Sequence, residues 1–374
     1  MKFSIEKSEL QRGLARIQSI VEKRNTMPIL ANVLLEASGS GKKGSLEFAA
    51  TDLEVGIRGS HPCDVSKPGT VTATAKKLFE IVRELPDEPV SVEVSDNAYL
   101  TIRCARAEFT LAGTTAEEYP TIPAFSPEKT VSVQAAIVSE MVERTMYAAS
   151  TDETRYNLNG VYLEKLDAVG KLRMVATDGH RLSYVDRSFG DDIEGLASGV
   201  IIPRKGLAEL KRLVDEDDAD EVELGFEGNS GLVRKGDVTL VMRLIEGEFP
   251  NYQQVIPSET NIHVVLPAET LVHALRRVAL LSAERSRAVK LELTSGQLSL
   301  SSNNPDLGDA REELDIDYDD EPLSIAFNAR YLTDALAVCS AKEIKLSFKD
   351  PLSPTLVQPT DDPDSLAVVM PMRI

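Results

Sequence analysis

"VATDGHRLSY", residues 175–184, sets Asp178, His180 and Arg181 within four positions, the company a hydrolase or metal site keeps. A search for self-similarity changes its meaning, because a fixed period moves residues from chemistry to architecture. "FAATDLEVGI" (48–57) matches it, with Thr51-Asp52 and Thr177-Asp178 126 residues apart; 126 further on, Asn303-Asn304 follow another alternating run in "LSLSSNNPDLG" (298–308). The Asp or Asn at this place reads as a strand-end turn residue that binds local backbone. His180 and Arg181 have no counterparts, since the first copy offers Glu54-Val55 there. Whatever is special to the second copy therefore lies in this loop.

Other landmarks keep the same step. An amphipathic helix recurs as "SELQRGLARIQSIV", "VSEMVERTMYAAS" and "AETLVHALRRVALLS", with Leu10, Met141 and Leu271 spaced by 131 and 130 residues. A second helix recurs as "AKKLFEIVREL", "PRKGLAELKRLV" and "NARYLTDALAVCS", and Tyr119-Pro120, Phe249-Pro250 and Met370-Pro371 punctuate the copies. Between the helices the pattern has period two, broken by Asn, Asp and Gly, as in "VSVEVSDNAYLTIRCARAEFTLAG", which predicts antiparallel hairpins. The chain thus reads as one α+β unit of about 125 residues written three times, each with two helices on one face of antiparallel sheet. The expected domains are 1–125, 126–256 and 257–374.

Composition limits the function. A chain of 374 residues is long enough for two or three cores. The first ten residues alternate charged and apolar types, and no apolar run approaches the roughly 18 residues of a membrane span, so a cytoplasmic protein without membrane contact is expected. Cys63, Cys104 and Cys339 lack CxxC spacing, and the four histidines lack ligand spacing, so no metal is expected. Nor does any nucleophile elbow appear, and no catalytic residue or cofactor is called. "GSGKKGS" (39–45) lacks the Gly at 36 and the Ser or Thr at 43 that a phosphate loop needs; Glu36 and Lys43 stand there. It reads as a hairpin tip.

The net charge of −19 argues against nucleic acid, whose binding runs on neutralised phosphates. The charge is uneven, however. Predicted helical segments 7–24, 76–85, 135–150, 204–214, 269–287 and 328–342 hold 19 Lys/Arg and 10 Asp/Glu, leaving 22 and 50 for the rest. Basic helices beside acidic sheet suit a polyanion on one side only. If such helices lined a closed ring at 8–10 Å spacing, six would leave a hole of about 9 Å and twelve about 28 Å. Only the second admits a duplex, and two three-unit chains joined head to tail would make it.

The stretches "MKFSIEKSEL", "TMPILANVLLEA", "RYNLNGVYLE", "VATDGHRL", "VIIPRKGLAEL", "EFPNYQQVIP" and "VVMPMRI", in this order over the whole chain, resemble the beta subunits of bacterial DNA polymerase III, the replicative sliding clamps. The resemblance implies a homodimeric ring that encircles double-stranded DNA without sequence preference and has no catalysis of its own. Its partners would be the replicative DNA polymerase, the clamp-loader ATPase, repair polymerases and other proteins carrying a clamp-binding motif. It implies a partner-peptide pocket at Leu158, Thr177, Gly179, His180, Arg181, Leu182, Pro250, Val255, Asn328, Tyr331, Leu352, Val368, Val369, Met370, Pro371, Met372 and Arg373, with His180 and Arg181 at its rim. DNA contacts are implied at Arg24, Lys76, Tyr156, Asn157, Arg204 and Lys205, and a dimer seam at Phe109, Leu111, Leu280 and Leu281. Gln254, Pro354, Asn157 and Asp152 depart from the familiar residues, Arg, Ser, an aromatic and an amide respectively. Two rivals remain: a hydrolase using Asp178 and His180, and a protein scaffold that never meets DNA.

Overall fold

The structure, a computed structural model, describes residues 1–21, 27–123, 130–166, 170–190, 193, 196, 199–216, 220–284, 286–339 and 341–373. One order of elements, strand, helix, four strands, helix, three strands, occurs three times. The first copy is β1 Lys2–Ile5, α1 Lys7–Ile17, β2 Asn32–Ser38, β3 Gly41–Thr51, β4 Val55–Lys67, β5 Gly69–Thr74, α2 Ala75–Glu84, β6 Val90–Val94, β7 Leu100–Cys104 and β8 Ala107–Leu111, followed by the short β9 Gly113–Thr114. The second is β10 Thr130–Gln134, α3 Ala135–Met146, β11 Gly160–Lys165, β12 Lys171–Thr177, β13 Arg181–Ser188, β14 Val200–Pro203, α4 Arg204–Val214, β15 Glu221–Glu227, β16 Ser230–Lys235 and β17 Val238–Arg243. The third is β18 Ile262–Pro267, α5 Ala268–Val278, β19 Ala288–Thr294, β20 Gln297–Asn304, β21 Gly308–Asp315, β22 Leu323–Asn328, α6 Ala329–Ala337, β23 Glu343–Phe348, β24 Thr355–Pro359 and β25 Ser365–Val369. The "GSGKKGS" stretch is the tip of the β2–β3 hairpin, Gly39 at φ +79° and residue 40 turning the chain and residues 41–45 opening β3.

The helices are shorter than periodicity suggests. In α5 the apolar stripe Leu271, Leu275, Val278 ends the helix; a single 3-10 turn, Ala279–Leu281, follows and is closed by the Ser282 hydroxyl on the Ala279 carbonyl at 2.7 Å. The six α-helices among the described residues hold 14 Lys/Arg and 8 Asp/Glu. Their basic excess is thus smaller than expected, and Arg16, Arg212 and Arg277 are bound to Glu216, Glu209 and Glu312.

The chain forms two compact units, Met1–Ala136 with Glu194–Ala197 and Ala208–Leu244, and Ile137–Ile193 with Ser198–Leu207 and Ile245–Ile374. These cut across the three repeats because sheets run through the repeat boundaries. In the first unit β17, from the second repeat, pairs antiparallel with β4 over Val238↔Gly59 to Met242↔Val55, inside a thirteen-stranded sheet. Helix α1 packs on β3, β4 and α2. Gly13 is required there, since a Cβ would meet the Phe48 ring at 2.7 Å. At its other edge this sheet ends on β8, which pairs with β7.

In the second unit β13, from the second repeat, pairs with β25, from the third, over Arg181↔Val369 to Val185↔Ser365. The result is an eight-stranded sheet in the order β14-β11-β12-β13-β25-β24-β23-β18. A four-stranded sheet, β21-β20-β19-β22, accompanies it, with β21 as an edge. Helices α5 and α6 pack together, and their Leu271, Leu275, Leu332 and Leu336 share a buried core with Val289, Leu291, Leu300 and Phe327.

Candidate functional site

The turn that opened the sequence question recurs in three dimensions. Asp52 Oδ1 accepts the Glu54 and Val55 N–H groups at 2.9 and 2.7 Å, Asp178 Oδ1 those of His180 and Arg181 at 2.9 and 3.0 Å, and Asn304 Oδ1 that of Asp306 at 3.0 Å. Thr51 and Thr177 each donate a hydroxyl hydrogen bond across the turn, to the Val55 and Arg181 carbonyls. The next position is left-handed in both, φ +79° at Leu53 and +87° at Gly179, a conformation that glycine adopts without strain. Asp178 is therefore a turn brace, and its second oxygen accepts from Arg181 Nε at 3.1 Å.

Arg181 departs from expectation. Instead of standing at a rim, its side chain is only 9% exposed. It donates to Asp334 Oδ2 and to the Tyr147 carbonyl, both at 2.6 Å, and lies over the Tyr331 ring at 4.8 Å. Its buried donors are met by two carboxylates and a carbonyl, so none of the named bonds is left to water. His180 is exposed and stacks on Tyr331, ring centroids 6.1 Å apart and 12° between planes. Burial, with Asp178 adding to it, raises the Tyr331 hydroxyl above its ordinary pKa; burial pushes that of Tyr147 up to about 12. Both remain neutral apolar-faced surfaces at physiological pH.

The C-terminal strand closes on this turn. Val368 and Val369 are buried on β25, and the Met370 N–H continues the ladder to the His180 carbonyl at 2.9 Å. The Met372 N–H then binds the Ala326 carbonyl at 2.7 Å, leaving Met370, Pro371 and Met372 half-exposed and Arg373 exposed. Leu182 and Val368 belong to one apolar cluster with Val175, Leu366 and Tyr252, against which Phe249 and Ile256 pack. Pro250 and Val255 flank Tyr252 in sequence and are exposed. Leu158 ends a 3-10 helix, Glu153–Leu158, and its carbonyl accepts from Ser150. The same helix sends Arg155 Nη1 to the Asp178 carbonyl at 2.7 Å. Asn328 caps α6 through the Arg330 N–H, and Leu352, 70% exposed, rides on a separate turn braced by Asp350. The anchoring contacts thus unite Thr177 to Leu182, Tyr331 and Val368 to Met372. Half-exposed Met370, Pro371 and Met372 and exposed Pro250 and Val255 present apolar surface of the kind that suits aliphatic or aromatic side chains.

Of the residues expected to meet DNA, Arg24 lies outside the described residues. Lys76 is exposed in the first turn of α2, and Arg204 and Lys205 open α4. Neither first turn holds an acidic residue. Cations there oppose the helix dipole and, with the free N–H groups, suit a phosphate. Arg204 Nη1 also reaches the Ala149 and Ser150 carbonyls at 3.3 and 3.5 Å, and Asn157 donates to the Glu248 carbonyl at 3.0 Å, while Tyr156 is exposed. At the expected seam, Phe109 and Leu111 lie on edge strand β8, exposed and half-exposed, and Leu280 and Leu281, likewise exposed and half-exposed, lie on the turn that packs on edge strand β21.

Sequence reasoning missed a polar chain under the cluster. Glu164, Arg173 and Asp186 are successive cross-strand neighbours on β11, β12 and β13. Arg173 binds Asp186 through two bonds of 2.6 and 2.7 Å and gives a third, at 3.0 Å, to the Tyr252 hydroxyl, which itself donates to Glu164. Three charged residues on alternating positions of predicted strands were the available signal. Among the described residues, no group of three or more His, Cys, Asp or Glu is placed to hold a metal ion, and no helix is long and apolar enough to cross a membrane.

Comparison with known proteins agrees with this arrangement along the full chain. Residues 1–123, 132–251 and 253–373 match the N-terminal, central and C-terminal domains of the DNA polymerase III beta subunit. The beta sliding clamp of Caulobacter vibrioides is 39% identical over 378 residues, covering 100% of both chains. Crystal structures of the Caulobacter crescentus beta sliding clamp, 39% identical with a TM-score of 0.94, and of the Pseudomonas aeruginosa clamp bound to griselimycin, 35% identical with a TM-score of 0.93, each cover 100% of both chains. With three domain matches in order and full-length relatives above 30% identity, the chain belongs to the family of DNA polymerase III beta subunits, the beta sliding clamps.

Proposed function

We propose that two copies of this chain close head to tail into a ring around duplex DNA and tether the replicative polymerase, the clamp-loader ATPase and repair polymerases through short peptides. The observation that carries the ring is a pair of unlike open edges on one chain, β8 with Phe109 and Leu111, and β21 beside Leu280 and Leu281. Unlike surfaces on one molecule join heterologously, and a pair of such joints closes with two-fold symmetry. The repeats serve as domains 1–125, 126–256 and 257–374. Lys76, Tyr156, Asn157, Arg204, Lys205 and Arg24 contact phosphate and give no sequence preference. The row from Leu158 to Arg373 named above receives the partner peptides; the griselimycin-bound Pseudomonas aeruginosa clamp is a relative that takes a ligand.

The protein works in the cytoplasm and catalyses nothing. Support for the second point is that both oxygens of Asp178 brace a turn, so a hydrolase built on Asp178 and His180 lacks a free carboxylate. Encirclement is tested with nicked circular DNA loaded by the clamp loader and ATP. The clamp should survive a high-salt wash on the circle and leave once the circle is cut. Equal loss from both forms means adhesion, and failure to load at all favours the protein-only scaffold.

A further inference from the structure

Residues Tyr252–Val255 form a single 3-10 turn. Its first side chain is buried, with 5% exposure, while its last, Val255, is 42% exposed. The turn therefore has an anchor and a working face. The anchor is held from two directions. Its ring packs with Leu182, Val175, Leu366 and Val368, and its hydroxyl sits between Glu164, as acceptor, and Arg173, as donor. Arg173 is fixed in turn by its two bonds to Asp186 and by lying 4.0 Å over the Tyr184 ring. One step upstream, Phe249 stacks on Tyr162 at 5.0 Å with 4° between planes, so the residue before Pro250 is fixed too. Burial, then the neighbouring Glu164 carboxylate, raises the Tyr252 hydroxyl above its ordinary pKa, which keeps it a donor.

We propose that the chain Asp186–Arg173–Tyr252–Glu164 is the positioning device for one wall of the peptide groove, setting where Pro250 and Val255 stand and so how tightly an extended apolar peptide is held. This rests on the peptide-groove reading. Tyr252 touches no peptide; it is a positioning residue. A wall carried on one turn of 3-10 helix has few backbone bonds of its own, and the Ile256 N–H to the Gln253 carbonyl, at 3.3 Å, is a long one. The hydroxyl clamp supplies what that turn lacks.

The test uses the full-length protein and a fluorescein-labelled peptide copied from the C-terminal tail of the cell's replicative polymerase, read by anisotropy. Tyr252→Phe keeps the ring and removes the clamp; Kd should rise about 5- to 10-fold, the loss of one or two buried hydrogen bonds, mainly through faster dissociation. A general loss of stability would weaken binding in any background. Positioning predicts otherwise: in a Val255→Ala background Tyr252→Phe should add less than about 2-fold, and in a Met370→Ala background, on the opposite wall, its full factor. Unchanged affinity, or the full factor in the Val255→Ala background, overturns the proposal. Should Tyr252→Phe fold poorly, Glu164→Gln weakens the same clamp from its other end and should give the same pattern. If the wild-type protein fails to bind, or binds undiminished after deletion of 370–374, the groove reading itself falls. Wild-type binding that Tyr252→Phe and Glu164→Gln both leave intact sinks only the clamp.

Discussion

Replacing Asp178 separates brace from catalyst. Its Oδ1 accepts two main-chain N–H groups and its Oδ2 accepts from Arg181 Nε, with 14% of the side chain exposed. Hydrogen bonds to a charged acceptor contribute about 1.5–3 kcal/mol and neutral ones about 1 kcal/mol. Asp178→Ala removes all three and leaves Arg181 with Asp334 and the Tyr147 carbonyl alone, a cost of about 3 kcal/mol once overlap between the bonds is allowed for. Asp178→Asn keeps an oxygen facing both N–H groups, as Asn304 does for one in the third repeat, and costs about 1 kcal/mol. In a cooperative unit of 150–250 residues each kcal/mol moves the melting midpoint by about 2–4 °C. The alanine variant should therefore melt about 6–12 °C lower and the asparagine variant about 2–4 °C lower, followed by calorimetry on the unfolding of the second unit, which holds Asp178. An alanine variant within 1 °C or so of wild type would show that the turn does not depend on this carboxylate; equal losses for Ala and Asn would assign its role to charge.

Leu280 is 77% exposed, so Leu280→Ala with Leu281→Ala should leave the chain folded and convert dimer to monomer at micromolar concentration; sedimentation of an intact dimer would place the seam elsewhere. The second unit should also show acid sensitivity at one cluster. The Arg187 hydrogen bond holds the Glu140 carboxyl below its ordinary 4.5; for Asp362, burial pushes upward but bonds from Arg187 and Ser365 outweigh it, leaving it below 3.8. Depressed carboxylates stabilise the fold above their unfolded pKa values, and that contribution disappears as pH falls through the folded ones. Arg187→Met should thus lower the melting midpoint at pH 7 and narrow its fall between pH 7 and pH 3; a fall as steep as in wild type counts against the cluster.

Much of this was legible in the sequence, and for definable reasons. Period and punctuation carried the three repeats, because every copy must bury the same helix stripe and turn at the same strand ends. The Asp52, Asp178 and Asn304 braces were readable since a turn acid acts on its nearest neighbours. Arg181 was misplaced because its depth depends on Asp334 and Tyr147, residues 153 and 34 positions away that no local pattern connects. The Tyr252 clamp stayed hidden for the same reason: three strands contribute one polar group each, and only register aligns them. Helix ends were overrun where apolar spacing continued past a break, as at Leu280 and Leu281.

The pairing of β13 with β25 also sets a timetable. Strand β13 leaves the ribosome about 180 residues before its neighbour exists, a wait of roughly 10–40 s at 5–20 residues per second. Through that interval the Arg181 to Ser188 edge has no β25 to cover it, and its apolar side chains Leu182 and Val185 face whatever lies nearby. The nascent chain is then at its most prone to mispairing. The proposed peptide groove takes its second wall from β25 and the residues after it, so on that reading it would be incomplete on an unfinished chain. On that reading a half-made chain would not sequester polymerases from finished ones. Translation arrested near residue 340 should yield a product that folds its first unit yet captures no polymerase peptide; capture by that truncated product would mean the groove is complete without β25.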